Sequence, residues 1–201
     1  MPERSNDIWN EVVSAARGVV ALVIGDRRAN SYFDFSDRGL VGSFIAFLVV
    51  ALLNTAVPLL LGVPGTSGTA FRAIATVIIV LALQIGAAAL VLRQLKRSDA
   101  LVPYIVVDNW ATFFLTIATT LLGLVGAGGE LMFIATGIVI IIIMINIARL
   151  ILTLTPWQIA SFLVVQLISG VIALFVVSAV FPLSPEQLAE LTAGATAATA
   201  P

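Results

Sequence analysis

Residues 102–124 read VPYIVVDNWATFFLTIATTLLGL, an apolar run that nonetheless carries Asp108, Asn109 and Trp110 near its start and Thr112, Thr116 and Thr119 beyond them. About 20 apolar residues, rising 1.5 Å each, cross a hydrocarbon core of roughly 30 Å. An ionisable group inside such a helix costs about 2.5–3.5 kcal/mol on insertion scales. The run therefore sets the fold class and also poses the main question, which is what Asp108 meets.

Four more runs of similar length flank it, at Leu40–Leu61, Ala73–Leu92, Leu131–Leu152 and Ile159–Val180. The links between them are short and rich in turn formers: GVPGTSG at 62–68, RQLKRSDA at 93–100, GAGGE at 126–130 and TLTPWQ at 153–158. Short links make consecutive helices antiparallel neighbours. The fold class that follows is all-α, a multi-pass transmembrane bundle of five spans over residues 39–182, with no link able to hold a soluble domain.

Composition agrees. The chain of 201 residues is 60% hydrophobic and 10% charged, with a mean hydropathy of +1.13, whereas a soluble domain carries about 25% charged residues. It has no cysteine and no histidine. That removes disulfides, thiolate nucleophiles, imidazole bases and the usual zinc or haem ligands. No phosphate-binding glycine loop with a lysine is present, and Asp99 belongs to a link, so it makes no carboxylate pair with Asp108. The chain reads as a non-enzyme without catalytic residues, cofactor or metal, and without the sustained basic patch that nucleic acid requires.

Residues 1–38 form a separate amino-terminal unit. From Asn6 to Ile24, Ile8, Val12, Ala15, Val19 and Val23 recur at helical spacing while Asp7, Glu11 and Arg17 fall elsewhere. Asn6 can cap this helix and Gly25 can end it. Acidic residues and an apolar core broken by Arg17 and Gly18 argue against a signal peptide. An interfacial amphipathic helix is expected, lying in the headgroup layer or packed under the bundle. Trp9, Arg27, Arg28 and Trp157 are the expected interfacial residues, facing the lipid bilayer. Residues 183–201 begin with a capping-box pattern at Ser184-Pro185-Glu186-Gln187, which predicts a short helix to Leu191 and an unstructured Thr192–Pro201.

Orientation follows from the basic residues. With the amino terminus cytoplasmic, Arg4, Arg17, Arg27, Arg28, Arg38, Arg93, Lys96, Arg97 and Arg149 lie inside and Arg72 outside, so the positive-inside rule is met and the carboxy terminus is outside. On that topology Asp108 sits about 9 Å deep. Arg149 and Asn146, one turn apart in the neighbouring antiparallel span, fall at overlapping depth, and Gln84 and Gln166 lie in the same leaflet. Gln84, Asp108, Asn146, Arg149 and Gln166 are thus the candidate intramembrane polar cluster. Arg149 and Asn146 share a face at i, i+3 and are the expected partners of Asp108. Arg149→Ala is accordingly expected to destabilise the bundle.

Two readings of the cluster compete. Interhelical hydrogen bonds average about 0.6 kcal/mol and hold spans together; intramembrane ionisable residues also mark transport paths. Packing is preferred. The threonines after Asp108 could line a path, but can equally bond their own helix. Small residues at Gly39, Gly42, Ala82, Gly86, Ala89, Gly170, Ala173 and Ser178 suit close helix approach and a homo-oligomer or membrane-protein partner.

The long amino-terminal segment, the five closely spaced spans, the outside carboxy terminus and the Pro103-Tyr104 pair together resemble the Yip1 family of membrane proteins and its bacterial members. Phe33-Asp34-Phe35-Ser36, Gly39 and Ser43-Phe44-Ile45-Ala46 are also similar to a motif of proteobacterial multi-pass proteins. The resemblance implies the fold; eukaryotic members act in vesicle traffic through protein partners, and it carries over no site residue. The expected function is that of a structural or adaptor bundle in a bacterial cytoplasmic (inner) membrane, working through protein or lipid contacts. The alternative is a small transporter or channel component with its polar site around Asp108.

Overall fold

Gly25 ends the first helix as its sequence position suggests. It adopts a left-handed φ of 72°, and the next amide, Asp26 N, donates to Ala21 O at 2.8 Å while Gly25 N donates to Leu22 O at 3.2 Å. This paired closure satisfies carbonyls that a helix end leaves open. The computed structural model describes residues 3–60, 69–126 and 129–182. The helix expected after Ser184 and the tail beyond it lie outside these, as do residues 62–68.

Among the described residues, all the regular structure is helical. Helix α1 is Glu3–Ile24, followed by a 3-10 turn at Ala29–Tyr32; then come α2 (Asp37–Leu60), α3 (Thr69–Gln94), α4 (Leu101–Leu124), α5 (Glu130–Asn146), a π turn at Ile147–Ile151, and α6 (Pro156–Val180). Five of these stretches, α2 to α6 with the π turn continuing α5, are long and apolar enough to cross a membrane. They overrun the apolar windows of the sequence at several ends. Helix α6 begins at Pro156 and not near Ile159, because Thr155 and Gln158 form a capping box with proline at the first helical position. Thr155 N donates to Gln158 Oε1 at 2.9 Å.

The helices pair unevenly. Helix α3 packs most extensively on α6, and α2 on α4, while α1 lies across α4 and α5. Nearly all fully buried side chains gather at the end where α1 sits: Leu22, Leu92, Val106, Val107, Ile147 and Phe162. At the opposite end Leu131 and Phe133 of α5 and Leu174 and Phe175 of α6 are exposed. The contacts there are peripheral, as where Phe71 meets Phe181 edge-on and Arg72 lies 5.8 Å over the Phe181 ring. The α1 end is thus a packed core, and the far end is a set of helices with apolar outer faces.

Two links are tied together at the α1 end. Arg97 reaches from the α3–α4 link to donate through its guanidinium to Thr153 Oγ1 at 3.0 Å and Thr153 O at 3.4 Å. It also lies 3.5 Å from Asp99.

Candidate functional site

The first turns of α4 carry the polar residues that the sequence singles out, and here the helix is buried on nearly every side, from Tyr104 to Val107 and from Asn109 to Ala111. Three interhelical hydrogen bonds meet in this layer. Gln166 Nε2 of α6 donates to the Tyr104 hydroxyl, and the Tyr104 ring stands edge-on to Phe162, with centroids 5.3 Å apart. Asn109 Nδ2 donates to Ser43 Oγ of α2 at 3.2 Å, and Ser43 in turn donates to Leu40 O at 2.8 Å. Asn146 Nδ2 of α5 donates to Leu22 O in the last turn of α1 at 2.8 Å. Helix α4 is therefore fastened to α6 and α2, and α5 to α1.

Of the five residues expected to converge, only Asn146 and Gln166 are buried and bonded to another helix. Gln166 keeps one buried oxygen, Oε1, without a hydrogen-bond partner. Asp108 and Gln84 are half-buried. The expected Asp108–Arg149 ion pair is not formed. Arg149 is exposed, because the π turn interrupts the register that would place it on the Asn146 face, and the turn buries Ile147, Ala148 and Ile151 instead. Thr119 bonds back to its own helix, at Leu115 O (2.9 Å) and Thr116 O (3.0 Å), and so is no free lining for a path. The expected cluster leaves out Asn109 and Ser43, one residue along from Asp108 and three beyond Leu40, although the sequence marks both as polar positions. The two lie in the first and third spans, which the short links do not make neighbours, so only their small polar side chains near the same ends of those spans hinted at the pair.

A second polar site lies between α1, the 3-10 turn and the start of α2. It is an open cavity of about 310 Å³ lined by Glu11, Ser14, Ser31, Tyr32, Phe33, Asp34 and Arg38. Glu11 Oε1 is buried without a hydrogen-bond partner and rests on the Gly42 backbone so closely that a Cβ there would overlap it. Burial raises the Glu11 carboxyl above its ordinary value, as does the nearby Asp34 charge, while Arg38 opposes the rise. Asp34 moves the other way, held down by accepting from Ser36 N at 2.9 Å. Ser14 Oγ donates to Tyr32 O at 2.7 Å, which fixes the turn to α1.

The expected interfacial residues are all exposed and share the α1 end: Trp9 and Trp157 keep 68% and 80% of their surface open, and Arg27 and Arg28, just after α1, are exposed too. Compared with known proteins, the chain matches no family model, no curated protein and no solved structure.

Proposed function

We propose that this chain is a structural or adaptor bundle of a bacterial cytoplasmic membrane, acting through helix packing and contacts with lipid or a membrane-protein partner, with the α1 end cytoplasmic. The observation that supports this best is how the polar groups of the spans are used. Tyr104–Gln166, Asn109–Ser43 and Asn146–Leu22 each join two helices, as interhelical bonding requires. The likeness to the Yip1 family belongs to the same proposal, on the strength of the span arrangement and the Pro103-Tyr104 pair.

The competing reading, a transporter or channel component, is favoured by one observation: Asp108 is half-buried without an ion pair to Arg149, and such residues often mark a path. Proteoliposomes carrying an imposed pH gradient separate the two. A structural bundle leaves the decay of the gradient equal to that of protein-free vesicles. Faster decay that Asp108→Asn abolishes would replace this proposal with the transport reading.

A further inference from the structure

Helix α1 is apolar on two sides. At 100° per residue, Ala15, Val19 and Leu22 share one side and are buried against the bundle. Trp9, Val13, Val20 and Ile24 share another, about 150° away round the helix. That second stripe is open: Trp9 keeps 68%, Val20 59% and Ile24 72% of their surface. Asn10 and Arg17, both exposed, border the second stripe, while Glu11 and Ser14 lie further round, toward the 3-10 turn and the start of α2.

We infer that this second stripe is inserted in the boundary of the cytoplasmic leaflet, so that α1 is a wedge held between protein and lipid. The inference rests on the membrane-bundle proposal and goes beyond it by assigning the surface and its occupant. Three features select lipid. Asn146 and the core hold α1 against α4 and α5 where the spans end, which is the depth of the headgroups. Val41 and Ile45, in the first turns of α2 at the same end, are exposed as well, so apolar surface is open at this level on the spans as well as on α1. Arg17 beside the stripe and Arg27 and Arg28 just past its end are exposed cations at the level of lipid phosphates, and Trp9 with Trp157 forms the aromatic pair expected there. A helix with apolar residues on one face and arginine on its polar strip binds such a surface by burying the former and paring charge with the latter.

The chain has no cysteine, so single cysteines can be placed without removing others. Val20→Cys, Ile24→Cys and Asn10→Cys are labelled with an environment-sensitive fluorophore, and the protein is reconstituted in vesicles of phosphatidylethanolamine and phosphatidylglycerol. Leu174→Cys on α6 serves as the span control. The labels at 20 and 24 are expected to emit blue-shifted, to lose emission to a lipid spin-labelled near the headgroup, and to resist iodide. The label at 10 is expected to lose emission to iodide. Iodide quenching at 20 and 24 equal to that at 10 would overturn the inference, and so would shielding from both quenchers, which would indicate a second copy or another protein over the stripe. If the label at 174 also escapes the lipid quencher, the membrane-bundle proposal falls with it; if 174 is quenched and 20 and 24 are not, only the wedge fails. Trp9→Cys, on the same stripe but beyond the packed part of α1, gives the same readout should Val20→Cys disturb the helix.

Discussion

Asn109 and Arg149 reverse the weights that their chemistry suggests. Asn109 is neutral and almost completely buried, donating to Ser43 Oγ, whereas Arg149 is charged and exposed. Asn109→Ala removes the α4–α2 bond and leaves a small void, and is expected to cost about 1–2 kcal/mol. Arg149→Ala, expected from the sequence to strand a buried charge, should stay within about 0.5 kcal/mol. Thermal midpoints in one detergent check both, and equal losses would show that Arg149 has a partner in the folded protein. Glu11 adds a pH dependence. Its carboxyl is raised by burial and by Asp34, so its contribution to stability is full below the ordinary carboxyl value of 4.5 and is lost as pH rises through the raised folded value. Asp34, lowered by the Ser36 amide, contributes above the ordinary carboxyl range and loses it at still lower pH. Of these two carboxyls, Glu11 is the one whose effect falls between neutral pH and the ordinary carboxyl range. Acidification across that window should raise the thermal midpoint, and Glu11→Gln should raise it at neutral pH and flatten the slope. An unchanged slope in Glu11→Gln would assign the dependence elsewhere.

At the level of elements, the helices were legible in the sequence and their rotations were not. Hydropathy locates a span because about 20 apolar residues are needed to cross, yet it leaves undetermined which side of that span meets its neighbour. Asp108 and Asn109 differ by one residue, or about 100°, and it is Asn109 that faces α2. The π turn at Ile147–Ile151 shifts the face again, so the i, i+3 relation of Asn146 and Arg149, valid in an α-helix, does not carry through it. Gly25 was legible because a left-handed helix end has a sequence signature. Lys96, at φ 56°, closes α3 in the same way without glycine, with Arg97 N donating to Leu92 O at 2.8 Å, and so gave no signal. The connector into α2 shows the same dependence on backbone proximity. A Cβ on Gly39 would lie 2.0 Å from the Asp34 carbonyl oxygen, where neither atom can swing aside. Gly39→Ala is therefore expected to displace the 33–36 segment and cost about 1–3 kcal/mol, detectable as faster amide exchange at residues 33–40. Unchanged exchange there would mean the connector relaxes freely.

Across the whole molecule, the core occupies one end only, and this asymmetry has energetic consequences. Where side chains face lipid, truncation exchanges one apolar contact for another, because acyl chains are as apolar as leucine. Where they face protein, truncation leaves a void that the surrounding helices fill only in part. The two ends of a single helix should then answer the same substitution differently. In α6, Phe162 is buried beneath Tyr104 and Phe175 is exposed; in α5, Ile143 is buried and Ile138 is exposed. Phe162→Ala and Ile143→Ala are expected to lose about 2–5 kcal/mol, and Phe175→Ala and Ile138→Ala to stay within about 0.5 kcal/mol, all measured as unfolding midpoints in the same lipid-detergent mixture. Comparable losses at Phe175 or Ile138 would mean that the far half of the bundle is packed against another protein surface. The structural role proposed here would then centre on that outer face, and the three hydrogen bonds of the α1 end would hold the bundle together without taking part in its contacts.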